Sequence, residues 1–72
     1  MTLEHLMQFA FWMKYDQGGA VRASDIAAHF EINPRNARRW VTIMANNALV
    51  QRRAADGGGW EYTACASLLG LV

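Results

Sequence analysis

Three arginines stand within five residues, at Arg35, Arg38 and Arg39, and two more follow at Arg52 and Arg53. A guanidinium is planar and permanently charged. Its N–H groups form a fork that fits phosphate and the exposed edge of guanine in a way a lysine ammonium cannot. The spacing turns this chemistry into a surface. At about 100° per residue, Arg35, Arg38, Arg39, Thr42 and Asn46 fall on one side of a helix. Ala37, Trp40, Val41 and Met44 fall on the other. Asparagine can pair with adenine, and threonine can meet phosphate or a thymine methyl. Asn36 lies to one side of this face, within reach of a base or a neighbouring phosphate.

The net charge of +1 hides a division along the chain. Residues 1–31 carry Lys14 and Arg22 against Glu4, Asp16, Asp25 and Glu31, a net −2. Residues 32–72 carry Arg35, Arg38, Arg39, Arg52 and Arg53 against Asp56 and Glu61, a net +3. Other chemistries find less support. His5 and His29 stand alone, without partners at metal-ligand spacing, and are read as surface or edge histidines. Gly57-Gly58-Gly59 lacks the lysine and following helix of a phosphate-binding loop, and is read as a mobile turn. Cys65 is the single cysteine, so no intramolecular disulfide or cysteine-based metal site can form. It is expected to be a small buried residue. No serine or cysteine has a supporting histidine. Neither an enzyme nor a bound cofactor is expected.

The elements that must hold the arginine face can be read on either side of it. A first helix is expected over residues 3–17, with Thr2 as N-cap and Gly18 as a left-handed C-terminal cap. Its core stripe is read as Leu3, Leu6, Met7, Ala10 and Met13. Phe9, Phe11 and Trp12 lie outside that stripe, and only Glu4, Gln8 and Tyr15 make a narrow polar strip. Such a helix is buried on more than one side, either by a second copy of the chain or by the hairpin and C-terminal tail. Ala20–Ala23 reads as a brief strand. Ser24 reads as the N-cap of a short second helix running to about Phe30, with Ile26, Ala27 and Phe30 inward. Glu31-Ile32-Asn33 makes a turn. Asn33 then caps a third helix with Pro34 at its first position, where a missing N–H costs nothing. Asn47 is expected to end that helix in the left-handed conformation. Leu49–Arg53 and Trp60–Thr63 read as the strands of a hairpin spanning about 49–64. The tail over 65–72 is apolar and without a period.

This order of elements resembles the winged helix-turn-helix of small bacterial and phage transcription regulators. Ile26, Ala27, Phe30, Ile32, Ala37 and Trp40 stand where that family places its apolar residues, with the small Ala27 permitting a close helix crossing. The helix-turn-helix spans about 24–47. Glu31 occupies the turn where the family often has glycine, and an ordinary residue fits there if the backbone avoids a positive φ. The resemblance implies an α+β, mainly α fold: three helices and a C-terminal β-hairpin wing. It further implies sequence-specific binding of double-stranded DNA. Arg35, Asn36, Arg38 and Arg39, with Thr42 and Asn46, would enter the major groove. Arg52 and Arg53 would flank the wing against backbone or minor groove. A winged helix can alternatively serve as a protein-interaction module, and that reading stays open.

At 72 residues the chain is expected to form one domain. The longest apolar stretch, Phe9–Met13, is far too short to span a bilayer. The first residues lack the pattern of a signal peptide, so a cytoplasmic protein is expected. A repressor-like homodimer would join through the aromatics of the first helix and the apolar tail.

Overall fold

A computed structural model describes all 72 residues, Met1–Val72. The fold is α+β and mainly helical, in the order α1 (Leu3–Tyr15), α2 (Ala23–Phe30), α3 (Pro34–Asn46), β1 (Val50–Ala54), β2 (Trp60–Ala64) and α4 (Ala66–Leu69). The expected set of three helices therefore becomes four. β1 and β2 form a two-stranded antiparallel sheet with Val50 opposite Ala64 and Ala54 opposite Trp60. The strands are each displaced or extended by about a residue from the expected limits.

The core joins all these elements. Phe9, Ala10, Trp12 and Met13 of α1 meet Ile26 and Ala27 of α2, and Ala37, Trp40, Val41 and Met44 of α3. Val50, Tyr62 and Leu68 close it from the hairpin and α4. No charged side chain is buried, so every arginine remains at the surface. Aromatic rings pin the three long helices together. Phe30 meets Trp12 and Trp40 edge-on, with ring centres 5.5 and 5.6 Å apart. Such contacts add about 0.5–1.5 kcal/mol each beyond the area they bury.

Of the expected stripe, Ala10 and Met13 are buried, Leu6 packs on the core and Met7 is half-buried, and these rings explain why α1 is rotated partly away from it. Leu3 is outward and three-quarters exposed, whereas Phe9 and Trp12 are inward. A rotation that buries two large rings at the expense of one leucine removes more apolar area from water. Phe11 remains outside, beside Tyr15 on the polar strip.

The helix ends differ from expectation in instructive ways. Thr2 does cap α1, accepting from the His5 N–H at 3.1 Å. The helix stops at Tyr15, and Asp16 and Gln17 both donate their N–H to the Trp12 carbonyl. Gly18 has no positive φ, because this bifurcated closure leaves no left-handed cap to fill. At α2 the N-cap is Arg22 instead of Ser24. Asp25 is responsible: its carboxylate accepts from the Arg22 N–H at 2.8 Å, three residues back, which moves the start of the helix upstream. Ala23 is thereby drawn into α2, and the expected strand shrinks to Val21, bridged to Tyr62.

Glu31, in the turn, adopts φ 53° and ψ 46°. Its N–H and that of Ile32 both return to the Ala27 carbonyl. The turn thus has the left-handed geometry that glycine favours, but with glutamate in it. After α3, Asn47 stays at φ −105° and the left-handed residue is Ala48, φ 57°. The apolar tail is ordered by α4. Cys65 is its half-buried N-cap, not a buried filler, and donates its N–H to the Leu49 carbonyl at 2.9 Å. Leu68 is fully buried.

Candidate nucleic-acid interface

The start of α3 is defined by its own residues. Asn33 Oδ1 accepts from the Arg35 N–H at 2.8 Å, and Pro34 occupies the first turn. Beneath the helix, Ala37, Trp40, Val41 and Met44 are buried, as the spacing required. Trp40 is also overlaid by the His5 ring of α1, with centres 4.9 Å apart. These contacts fix the rotation of α3, and with it the direction of its polar face.

On that face Arg35, Asn36, Arg38, Arg39, Thr42 and Asn46 are all exposed. No guanidinium of Arg35, Arg38 or Arg39 forms an ion pair, since the one salt bridge in the molecule joins Arg53 to Glu61. α3 contains no acidic residue to neutralise them. Thr42 has less to offer than its residue type implies. Its hydroxyl already donates to the Arg38 carbonyl at 2.9 Å, which leaves its lone pairs and methyl free. Asn46 is the last residue of α3, about 16 Å along the axis from Arg35. Asn36 and Arg39 line a shallow groove of about 280 Å³ between α3 and the start of α1, together with Thr2, His5 and Trp40. His5 Nδ1 is buried there without a hydrogen-bond partner.

The hairpin separates the two arginines read as one basic flank. Arg52 lies opposite Tyr62 and Arg53 opposite Glu61, so adjacent residues point to opposite faces of the sheet. Arg52 rests on the exposed Trp60 ring, its guanidinium carbon 4.2 Å from the ring centre. Arg53 is ion-paired with Glu61. Only Arg52 is therefore free of a counter-charge. The Arg53 pair is exposed and worth about 0.2–1 kcal/mol, so phosphate could displace it at small cost.

One important residue was missed in the sequence. Arg22, counted with the acidic half, reaches across to the hairpin tip and donates to the carbonyls of Gly58 at 3.1 Å and Asp56 at 3.2 Å. The tip is consequently tied down, contrary to the mobile turn expected of Gly57-Gly58-Gly59. All three glycines have positive φ, at 84°, 103° and 77°, so the turn itself demands them. No local pattern announces a contact between residues 36 positions apart. The only hint is that a glycine-rich tip presents carbonyls that need donors.

Comparison with known protein families, with curated proteins and with solved structures finds no match for this chain. No helix is long and apolar enough to cross a membrane.

Proposed function

We propose that this chain is a winged helix-turn-helix unit that binds double-stranded DNA in a sequence-specific way, as a small transcription regulator. The observation that carries this reading is the set of three arginines with no ion-pair partner on one face of α3, above an apolar underside buried in the core. Permanently charged forks left without partners are suited to an anionic, base-bearing ligand. α3 is 13 residues, about 20 Å long, and the B-DNA major groove admits a helix. Arg35, Asn36, Arg38 and Arg39 would approach base edges from its first two turns. Asn46 would reach only the far end of the contact. In the wing, Arg52 carries the freer charge, and Arg53 would engage phosphate after releasing Glu61.

Selection of bound fragments from random duplex DNA tests the reading directly. The double variant Arg35→Ala/Arg39→Ala should then lose about 1–3 kcal/mol of discrimination for each bidentate base contact removed. Replacing Arg52 by alanine should weaken binding to all sequences alike and lower the salt slope by about one. Unaltered affinity and unaltered sequence preference in the Arg35/Arg39 variant would remove α3 as the reading element.

A second reading, a protein-binding winged helix, is favoured by a specific feature. Met1, Leu3, Leu6, Ile43 and Leu49 line an apolar groove of about 280 Å³ beside the last turn of α3. Failure of the chain to be retained on heparin at moderate salt would favour this role over DNA binding.

A further inference from the structure

The outer face of α1 has an internal symmetry that the fold does not use. Six of its residues fall into three pairs equidistant from position 9: Leu3 with Tyr15, Glu4 with Lys14, and Met7 with Phe11. At about 100° per residue they also lie symmetrically about one line along the helix, with Met7 and Phe11 nearest the line. Five of the six are exposed and Met7 is half-buried. Phe11 and Tyr15 are both more than half exposed, and their rings lie 4.6 Å apart, forming one apolar patch.

A twofold interface requires that when residue i meets residue j of the partner, j meets i. This face meets that condition in size and in charge. We infer that α1 pairs antiparallel with α1 of a second copy of this chain, with the dyad passing beside residue 9. Met7 and Phe11 of one protomer then pack on Phe11 and Met7 of its partner. Glu4 faces the partner's Lys14, twice over. Leu3 and Tyr15 flank the ends. Lys14 already donates one hydrogen bond, to the Val72 carbonyl at 2.7 Å, and an ammonium has two further donors for the carboxylate. Asp16 is the next charge along the helix and lies beyond the last pair.

The partner is the second copy already expected, but the contacting residues differ from those expected. Phe9, Trp12 and Leu68 are buried within the chain's own core and cannot contribute. A single 13-residue helix face falls below the roughly 1,200 Å² of total buried surface of stable complexes, so the dimer is weak and concentration-dependent. The inference does not rest on DNA binding, and its test contains no DNA.

Sedimentation equilibrium from about 10 μM to 1 mM, a span that brackets a dissociation free energy of roughly 4–7 kcal/mol, should show a reversible monomer–dimer equilibrium. Phe11→Lys should abolish it. Glu4→Lys and Lys14→Glu each place like charges across both contacts, and each should weaken association about tenfold or more. An equimolar mixture of these two variants carries opposite charges at both contacts and should associate at least as well as the natural chain. Circular dichroism of each variant checks that α1 is retained. A chain that remains monomeric at 1 mM overturns the inference. So does dimerisation indifferent to Phe11→Lys, or failure of the charge-reversed mixture to recover.

Discussion

Replacing Glu31 by glycine should stabilise this protein. Glu31 sits at φ 53° and ψ 46°, near the centre of the left-handed region. An L-residue there places Cβ against the following carbonyl, at a cost of about 1–2 kcal/mol. The Glu31 side chain is exposed and has no ion pair, so its removal forfeits little in the folded state. Glycine brings an opposing term, the greater freedom of the unfolded chain, of about 0.4–1 kcal/mol. The balance is a gain of about 0.5–1 kcal/mol, and for a domain of this size each kcal/mol moves Tm by about 4–8 °C. Thermal and urea unfolding of Glu31→Gly should therefore show a midpoint raised by about 2–8 °C with an unchanged urea m-value. Glu31→Ala is the necessary comparison. It removes the same charge and the same γ and δ atoms but keeps Cβ, and should show none of the gain. If the glycine variant proves no more stable than the alanine variant, the strain assigned to the turn between α2 and α3 is not there.

Two other perturbations probe the parts of the scaffold that sequence reading did not anticipate. Arg22→Ala removes two hydrogen bonds to the hairpin tip, worth about 1–2 kcal/mol together at an exposed site. Amide exchange should accelerate at Gly57–Gly59 while α3 remains protected. Leu68→Ala should cost about 2–5 kcal/mol, because Leu68 is fully buried under α1 and the hairpin. Chemical denaturation should show a loss that is a large share of the total stability of so short a chain. A loss below 1 kcal/mol would mean that α4 is not part of the cooperative core.

Where each feature was legible depended on the range of the interactions that set it. α3 was readable except at its C-terminal cap, where Ala48 and not Asn47 is left-handed. Its cap Asn33, its Pro34 and its division into a Trp40–Met44 underside and an arginine face all depend on residues within a turn or two of one another. The hairpin was readable for the same reason, through its alternation and its glycine tip. The rotation of α1 was read only in part, with Ala10 and Met13 correctly inward, because several rotations of an almost wholly apolar helix look alike in sequence. The decision falls to Phe30, whose ring meets both Phe9 and Trp12 and is itself backed by Trp40. The start of α2 turned on which backbone N–H Asp25 would take, and Arg22 offered no capping signature of its own. α4 has only four residues, too few for any period to emerge. The left-handed turn at Glu31 could not be foreseen from a residue type that rarely adopts it. It follows from the requirement that α2 and α3 share Ala27, Ala37 and Trp40 in one core.

The arginines show most clearly what a count of residue types leaves out. Six are present, and the structure sets them to different tasks. Arg22 is a fastener between the start of α2 and the hairpin tip. Arg53 is matched by Glu61 across the sheet, and Arg52 sits over the Trp60 ring. Those three have local partners in the free chain. Arg35, Arg38 and Arg39 have no ion-pair partner, and they share one face of a helix whose underside is buried in the core. Repulsion among three neighbouring cations opposes folding, and no carboxylate of the chain is paired with them. A polyanion bound on this face, as the proposed function has it, would relieve it. Polyanions should accordingly raise the thermal stability of the natural chain by more than that of Arg35→Ala/Arg39→Ala. A heparin titration followed by unfolding would measure the difference, and equal shifts in the two proteins would show that the charge of α3 is not where anions bind.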